Sequence, residues 1–419
     1  METFPALPEF IQLEHQVAQI LTDQQLHGWH FDSVAAWQLE STLRQELEQL
    51  VRLLRDRHPY VEGSHFNPKR SNKVQGYFVG AESTRIKEFN PTSRDHIAWV
   101  MKTFYEWEPT DFTDKGKPTI DEVVLKDIGS EVSLKFFRCL ELTKSLGMLS
   151  EGVNSWLKLV KSDRIHHHCS LSCATHRMAH RKPNLGQVPS DLEFRKLFTA
   201  TPGMVMVGAD LAGIELRMLA HYLARYDGGR YGDILLNGDI HQTNADKIGI
   251  SRKLVKNVTY AFLYGAGDEK IGLTYDPQLP KAKARKKGKE IKQAYVEAID
   301  GLGNLLEAVK GRAAEGYVKA IDGRKIMVDS PHKALNYLLQ GSAACIAKRW
   351  MVIADRFKFE DTYQLAFIHD ELQFETRADL ARDLMFKLEM SAMEAGEYYN
   401  MRLPITAEAK TGNNWAEVH

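Results

Sequence analysis

Apolar residues recur every three or four positions over much of the chain, a spacing that predicts a helix-rich protein. Phe10, Leu13, Val17, Ile20 and Leu21 keep this period, as do Leu39, Leu43, Leu47, Leu50 and Leu54, and Gly28 separates the two runs. Across residues 64–90 the period fades while Gly, Pro, Asn, Lys and Arg dominate, which reads as an irregular basic insertion. Helical spacing resumes over 93–104 and 130–145. Residues 204–209 (MVMVGA), after Pro202-Gly203, are apolar and β-rich and predict a buried strand that delivers Asp210 at its end. A helix is expected over 214–226, followed by a helix-rich block to residue 311 that contains the basic run 281–292. Pro331 opens a further helix, expected to run to Trp350, with Leu335, Leu338, Leu339, Ile346 and Ala347 on its apolar side. Close to the end, LAFIHDELQFE reads as a hairpin around His369-Asp370.

Composition narrows the class without naming a function. A length of 419 residues with 43% hydrophobic residues supports two or three packed units. Lys+Arg and Asp+Glu are equal at 55 each, so any polyanion path has to come from local segregation of charge. Cys139, Cys169, Cys173 and Cys345 are too few and too scattered for a disulfide framework, which fits a reducing compartment. No run reaches the roughly 18 apolar residues of a membrane span, and the start lacks a signal-peptide pattern, so a cytoplasmic protein is expected.

Asp210 and Asp370 each stand where an apolar strand-like run ends. Alone, either reads more often as a turn or cap residue. A carboxylate at such a place is otherwise compensated by a divalent cation. Between the two lies SRKLVKNVTYAFLYGAGDEKIG, in which Arg252, Lys256, Tyr260 and Tyr264 recur every four residues. On a helix they form one polar stripe, with Leu254, Val258, Ala261 and Phe262 on the other side. Such a face suits a polyanion, and it also suits plain solvation. GAGDEKIG lacks the spacing of a phosphate-gripping loop. His166, His167, His168, Cys169 and Cys173 are not read as a zinc site, because the family that these strings resemble implies a strand there, on which neighbouring side chains turn to opposite faces.

These strings together resemble DNA polymerase family A, in particular the replicases of short-tailed phages of the T-seven type. DLAGIELR resembles the family's first polymerase motif, R-x3-K-x3-Y-x3-Y-G its second, with Ala261 in place of the usual glycine, and His369-Asp370-Glu371 its third. The likeness implies an α+β right-hand fold, with an antiparallel palm sheet, helical fingers and a helical thumb. It places an N-terminal helix at 1–27, the thumb at 28–145 with the insertion 64–90, the palm at 146–225 and 336–419, and the fingers at 226–335. It further implies that Asp210, the Leu211 carbonyl and Asp370 hold two Mg²⁺ ions, with Glu371 a supporting carboxylate. Arg252, Lys256, Tyr260, Tyr264 and His241 would hold the incoming nucleotide, and Glu215 would select its sugar. Arg177, Gln187, Asn336, Gln340, His369 and Lys144 would touch DNA, and Arg195 is carried over by the same likeness without a stated role; THRMAHRKPNLGQVP departs from the family's pattern at His176.

The expected activity is therefore template-directed addition of deoxynucleoside triphosphates to a primer 3′-hydroxyl, in phage genome replication. The proofreading exonuclease of such relatives has no counterpart in the chain, so a separate exonuclease subunit or a replisome helicase is a conceivable partner. The insertion is shorter than the one that captures thioredoxin in the T-seven type, which leaves that partner unsupported. A single-subunit RNA polymerase would share the two aspartates, but Glu215 and the Asp370-Glu371 pair favour deoxynucleotides. A two-metal nuclease would not need the basic stripe, and an inactive DNA-binding subunit would be expected to lose one of the aspartates.

Overall fold

The computed structural model describes residues 7–277 and 279–419, so the first six positions of the expected N-terminal segment lie outside it. The chain forms two compact units: one built from the residues up to Phe31 together with Lys161–His419, the other from Asp32–Val160. Among the described residues no helix is long and apolar enough to cross a membrane.

At the centre of the larger unit is a four-stranded antiparallel sheet. Its strands are β1 (Val205–Leu211), β2 (Thr362–Ile368), β3 (Glu371–Thr376) and β4 (Ala407–Gly412), in the spatial order β2-β3-β1-β4. The register sets Glu371 of β3 and Glu408 of β4 directly opposite Asp210 of β1, one on either side. Close approach of backbones is built into β1 at Gly208, where a Cβ would fall 2.7 Å from Gln373 Nε2 and from the Val418 carbonyl oxygen.

The helix α1 (Glu9–His27) buries Leu13, Val17, Ile20, Leu21 and Gln24, the face that the sequence period marks out. It stops at Gly28, whose φ of 71° suits glycine and whose close neighbour is the His166 ring. Helix α2 (Ile214–Asp227) starts three residues after β1, so Glu215 falls in its first turn. Helix α3 (Arg252–Leu263) is capped by Ser251, whose hydroxyl oxygen accepts the Leu254 N–H. Helix α4 (Ala334–Arg356) is buried almost all round and forms the spine of the unit; a 3-10 turn over Pro331–Lys333 precedes it, so the α-helix begins three residues later than Pro331 suggests and ends six beyond Trp350. The basic run lies on the helix Lys281–Ala298, where Arg285 and Lys292 pair with Glu269 and Asp268 of the preceding helix.

The smaller unit packs the helices Ser33–Arg57, Arg94–Phe104 and Glu131–Leu146 around Leu54, Ile97, Val100, Phe136 and Cys139. The segment expected to be irregular is partly ordered: Tyr60–Phe66 pairs antiparallel with Ser83–Glu88, with a bulge between Glu62 and His65. Only Val61 of this hairpin is fully buried, so the strands carry no apolar alternation for a sequence pattern to detect.

Candidate polymerase site

The hairpin β2–β3 turns on two residues, His369 and Asp370, and His369 takes the positive φ of 60° that such a tight turn demands. The Asp370 carbonyl oxygen accepts the Leu211 N–H at 3.0 Å, which ties the turn to the end of β1. Asp370, Asp210, Leu211 and Glu371 are thereby set side by side by backbone pairing alone. Glu408, which the sequence reading missed, adds a further acid across the sheet.

These acids are not equivalent. Glu371 is buried, and its Oε1 accepts from Trp415 Nε1 at 2.6 Å and Gln373 Nε2 at 2.5 Å, while His419 Nδ1 lies 3.2 Å from Oε2. At Asp370, burial, then Asp210 and Glu215, push the carboxyl up to about 7, against smaller pulls from Arg177 and from its own backbone N–H. The Asp210 carboxyl is pushed up to about 6 by burial, then by Glu371, Glu215 and Glu408. Asp210 is nonetheless exposed at the surface. Opposed like charges with hard oxygen donors form a donor set that suits a divalent cation such as Mg²⁺.

Glu215 binds the site to the fingers-type helix. Its Oε1 accepts from Arg177 Nη2 at 2.7 Å and from the Tyr264 hydroxyl at 2.9 Å. Tyr264 itself sits one residue past α3, as its C-cap, rather than within the helix. Along α3 the stripe appears as the spacing predicts: Arg252 and Lys256 are exposed, Tyr260 is half-buried, and Val255, Val258, Thr259 and Phe262 face inward. Burial, then Glu215 and Asp370, raise the Tyr260 hydroxyl above its ordinary range. The His241 ring lies 6.2 Å from that of Tyr260 and leaves Nδ1 buried without a partner among the described residues. Arg252 is held by Asp239 at 2.6 Å, and Asp239 also caps the helix carrying His241. That contact was missed too; the string GDIHQ, with Asp before a helix, is the signal that could have shown it.

Of the residues expected at DNA, all but Lys144 belong to the same unit as these acids. Gln187 is exposed in the turn Leu185–Gln187, whose Gly186 lies against His369: a Cβ there would be 3.3 Å from Nε2. Asn336 is buried and its Nδ2 donates to the Leu263 carbonyl at 2.5 Å, so one of its donors is taken up by the end of α3. Gln340 follows one helical turn later and is partly exposed. His369 leaves Nδ1 without a partner among the described residues, and Arg195 stacks over Trp415 at 4.9 Å. Lys144 is exposed in the last turn of Glu131–Leu146, in the smaller unit.

A sheet ending in paired acids, faced by a helix with a basic and aromatic stripe, defines the palm and fingers of a nucleotide polymerase. The profile of DNA polymerase family A matches residues 70–417. The chain is 32% identical to the DNA-directed DNA polymerase of Enterobacteria phage T3, over 98% of its own length and 70% of that protein. It is 31% identical, with the same coverage, to that of Escherichia phage T7. Among solved structures, the POL domain of Pol1 from M. smegmatis, in complex with DNA primer-template and dNTP, superimposes with a TM-score of 0.75 over 97% of this chain and 70% of that one, at 22% identity. That likeness shows the fold. The chain belongs to DNA polymerase family A.

Proposed function

We propose that this DNA polymerase extends a primer 3′-hydroxyl with deoxynucleoside triphosphates, through the acids gathered at the ends of β1 and β3, in the replication of a phage genome. The observation that carries the reading is the Leu211–Asp370 backbone bond, which sets two under-compensated aspartates together at a sheet end. Two Mg²⁺ ions held by Asp210, the Leu211 carbonyl and Asp370 would supply positive charge for the attacking hydroxyl and the triphosphate. Glu371, fixed by Trp415 and Gln373, supports that acid cluster from behind.

Arg252, Lys256 and His241 bind the triphosphate in this scheme, with Arg252 exchanging Asp239 for phosphate. Tyr260 stacks by the sugar, and Glu215, held by Arg177 and Tyr264, fills the space that a 2′-hydroxyl would need. Gln187, Gln340 and His369 line the primer–template, where donors meet minor-groove acceptors present at every base pair. Asn336 and Arg177 contribute through the hydrogen bonds they already make, and Lys144 meets the phosphate backbone. The test is extension of a labelled primer on a defined template with deoxy- or ribonucleotides, with Mg²⁺ or with EDTA. Copying of the template with deoxynucleotides, only with the metal and without shortening of a mismatched primer, is expected. Preference for ribonucleotides, or shortening of the primer by the pure chain, would overturn the reading.

A further inference from the structure

Away from the carboxylates, His167, Cys169 and His180 bring one ligand atom each to within 4.8 Å of one another. Two local regularities produce the cluster. His167 and Cys169 are two apart, so an extended backbone turns them to one face, while His166 and His168 turn to the other. His180 comes from the strand Ala179–Arg181, in register opposite Cys169 on the strand His168–Ser170. Considering only adjacent residues, as the sequence reading does, overlooks both.

The interior of the cluster is closed. His167 and His180 are 1% and 5% exposed, and Cys169 is a free, half-buried thiol. Cys169 Sγ lies 3.5 Å from His180 Nδ1, and His167 Nε2 lies 3.2 Å from the side-chain amide of Gln24, which is itself 3.7 Å from Sγ. A tetrahedron with metal–ligand bonds of about 2.0–2.3 Å has edges of roughly 3.3–3.7 Å, so three edges already stand near that length. The opposite ring nitrogens, His167 Nδ1 and His180 Nε2, are buried without partners among the described residues, so no second hydrogen bond from these holds either ring.

We propose that His167, Cys169 and His180, completed by Gln24, form a binding site for a borderline-soft divalent cation of the zinc class. Two imidazoles and a thiolate select such an ion over Mg²⁺. Gln24 presents its carbonyl oxygen when its amide rotates by half a turn. The same rotation of Gln364, now donating to Gln24 at 2.8 Å, gives its own buried and unpartnered Oε1 the Gln24 N–H. Loading releases one proton, from Cys169 to solvent, since burial keeps the two imidazoles neutral and the thiol protonated in the metal-free protein. The longest edge closes by about an ångström on loading. The His180 ring lies 5.9 Å from that of His369, so the ion fastens α1 and the 168–181 hairpin behind the turn that carries Asp370.

Chain stripped with EDTA, then given Zn²⁺ under excess Mg²⁺ and desalted, is expected to retain one zinc per chain. Co²⁺ in its place is expected to give a near-ultraviolet thiolate-to-metal charge-transfer band. Cys169→Ser abolishes the band, Cys173→Ser keeps it, and Gln24→Leu weakens zinc retention by about 10- to 100-fold. If Cys169→Ser fails to fold, His180→Gln serves in its place, with zinc content falling towards none. Failure of the wild-type chain to retain zinc, or a charge-transfer band that survives in Cys169→Ser, would overturn the site.

Discussion

Strand β3 carries a glutamate near each end and follows directly on Asp370, and the two ends treat carboxylates in opposite ways. Glu375 has its side chain fully buried, yet it accepts from His27 Nε2 at 2.6 Å, Arg164 Nη2 at 3.0 Å and the Thr201 N–H at 2.7 Å. Burial would raise its pKa, but these bonds outweigh it and hold the carboxyl down at about 2. Five residues earlier, Asp370 is pushed up to about 7, by burial first and then by its acidic neighbours Asp210 and Glu215. Burial acts in the same direction at both positions; the partners decide the outcome. The Glu375 end is a closed ion-pair network that joins α1, the segment around Arg164 and the sheet. The Asp370 end is left with negative charge that the protein does not neutralise, which is the condition for recruiting a cation.

The largest effect is expected where that charge is used. Asp210→Asn or Asp370→Asn should lower primer extension by at least about 100-fold, since each removes charge that acts on the reacting groups. Primer–template binding, read by gel shift, should hardly change. Residual extension above a few per cent would sink the assignment. Because each substitution also relieves repulsion, the metal-free variant should unfold at a temperature no lower than the parent. The other end of β3 behaves in the reverse manner. Glu375→Gln leaves the partly buried Arg164 without its counter-charge and should cost about 3–5 kcal/mol in chemical denaturation, while the folded fraction still extends primers. A loss under 1 kcal/mol would show that the network at this end adds little.

Titration separates the two ends more gently. Glu375, at about 2 when folded against an ordinary 4.5, contributes stability that is fully present above about pH 4.5 and is lost as pH falls through about 2. Asp370, at about 7 against an ordinary 3.8, has the opposite sign: metal-free stability declines as pH rises from about 4 to about 7 and the penalty is complete above that. Mg²⁺ should therefore raise the unfolding midpoint more at about pH 8 than at about pH 5, by a difference equivalent to about 1–3 kcal/mol. Equal shifts at both values would show that the cation is not read by these acids.

How much of this was legible depends on the range of the interaction. Asp210 and Asp370 end apolar runs, and the α3 stripe repeats every four residues, so both patterns are local and both elements form where the spacing predicts. Glu408 and Glu375 could not be placed in the same way. Their roles follow from strand register and from Arg164 and His27, hundreds of positions away, and neither leaves a trace in periodicity. The hairpin of Tyr60–Phe66 with Ser83–Glu88 escaped for a different reason, since a solvated two-stranded ribbon has no apolar face to announce it. The His167–Cys169–His180 cluster lies between these cases. Its i, i+2 half was readable, and only the cross-strand partner required the fold.

Glu215 is an intermediate case between the two ends of β3, and it gives the smallest and most discriminating test. It is buried like Glu375, but both its bonds fall on Oε1, one from Arg177 and one from the Tyr264 hydroxyl. If Glu215 excludes the ribose 2′-hydroxyl by occupying its space, the side chain must be held still, and these two donors do the holding. Glu215→Ala should then raise the ratio of ribo- to deoxynucleotide incorporation strongly. Tyr264→Phe keeps the ring and removes only the hydroxyl, with Arg177 left to orient the carboxylate. The loss of one hydrogen bond in the presence of a second is worth about 0.5–1 kcal/mol, so the ratio should rise by only roughly 2- to 5-fold. Single-nucleotide incorporation on one template, with both sugars and both variants, measures it. A ratio unchanged in Tyr264→Phe but raised in Glu215→Ala would assign the positioning to Arg177 alone, whereas a ratio unchanged in both would remove Glu215 from the sugar site.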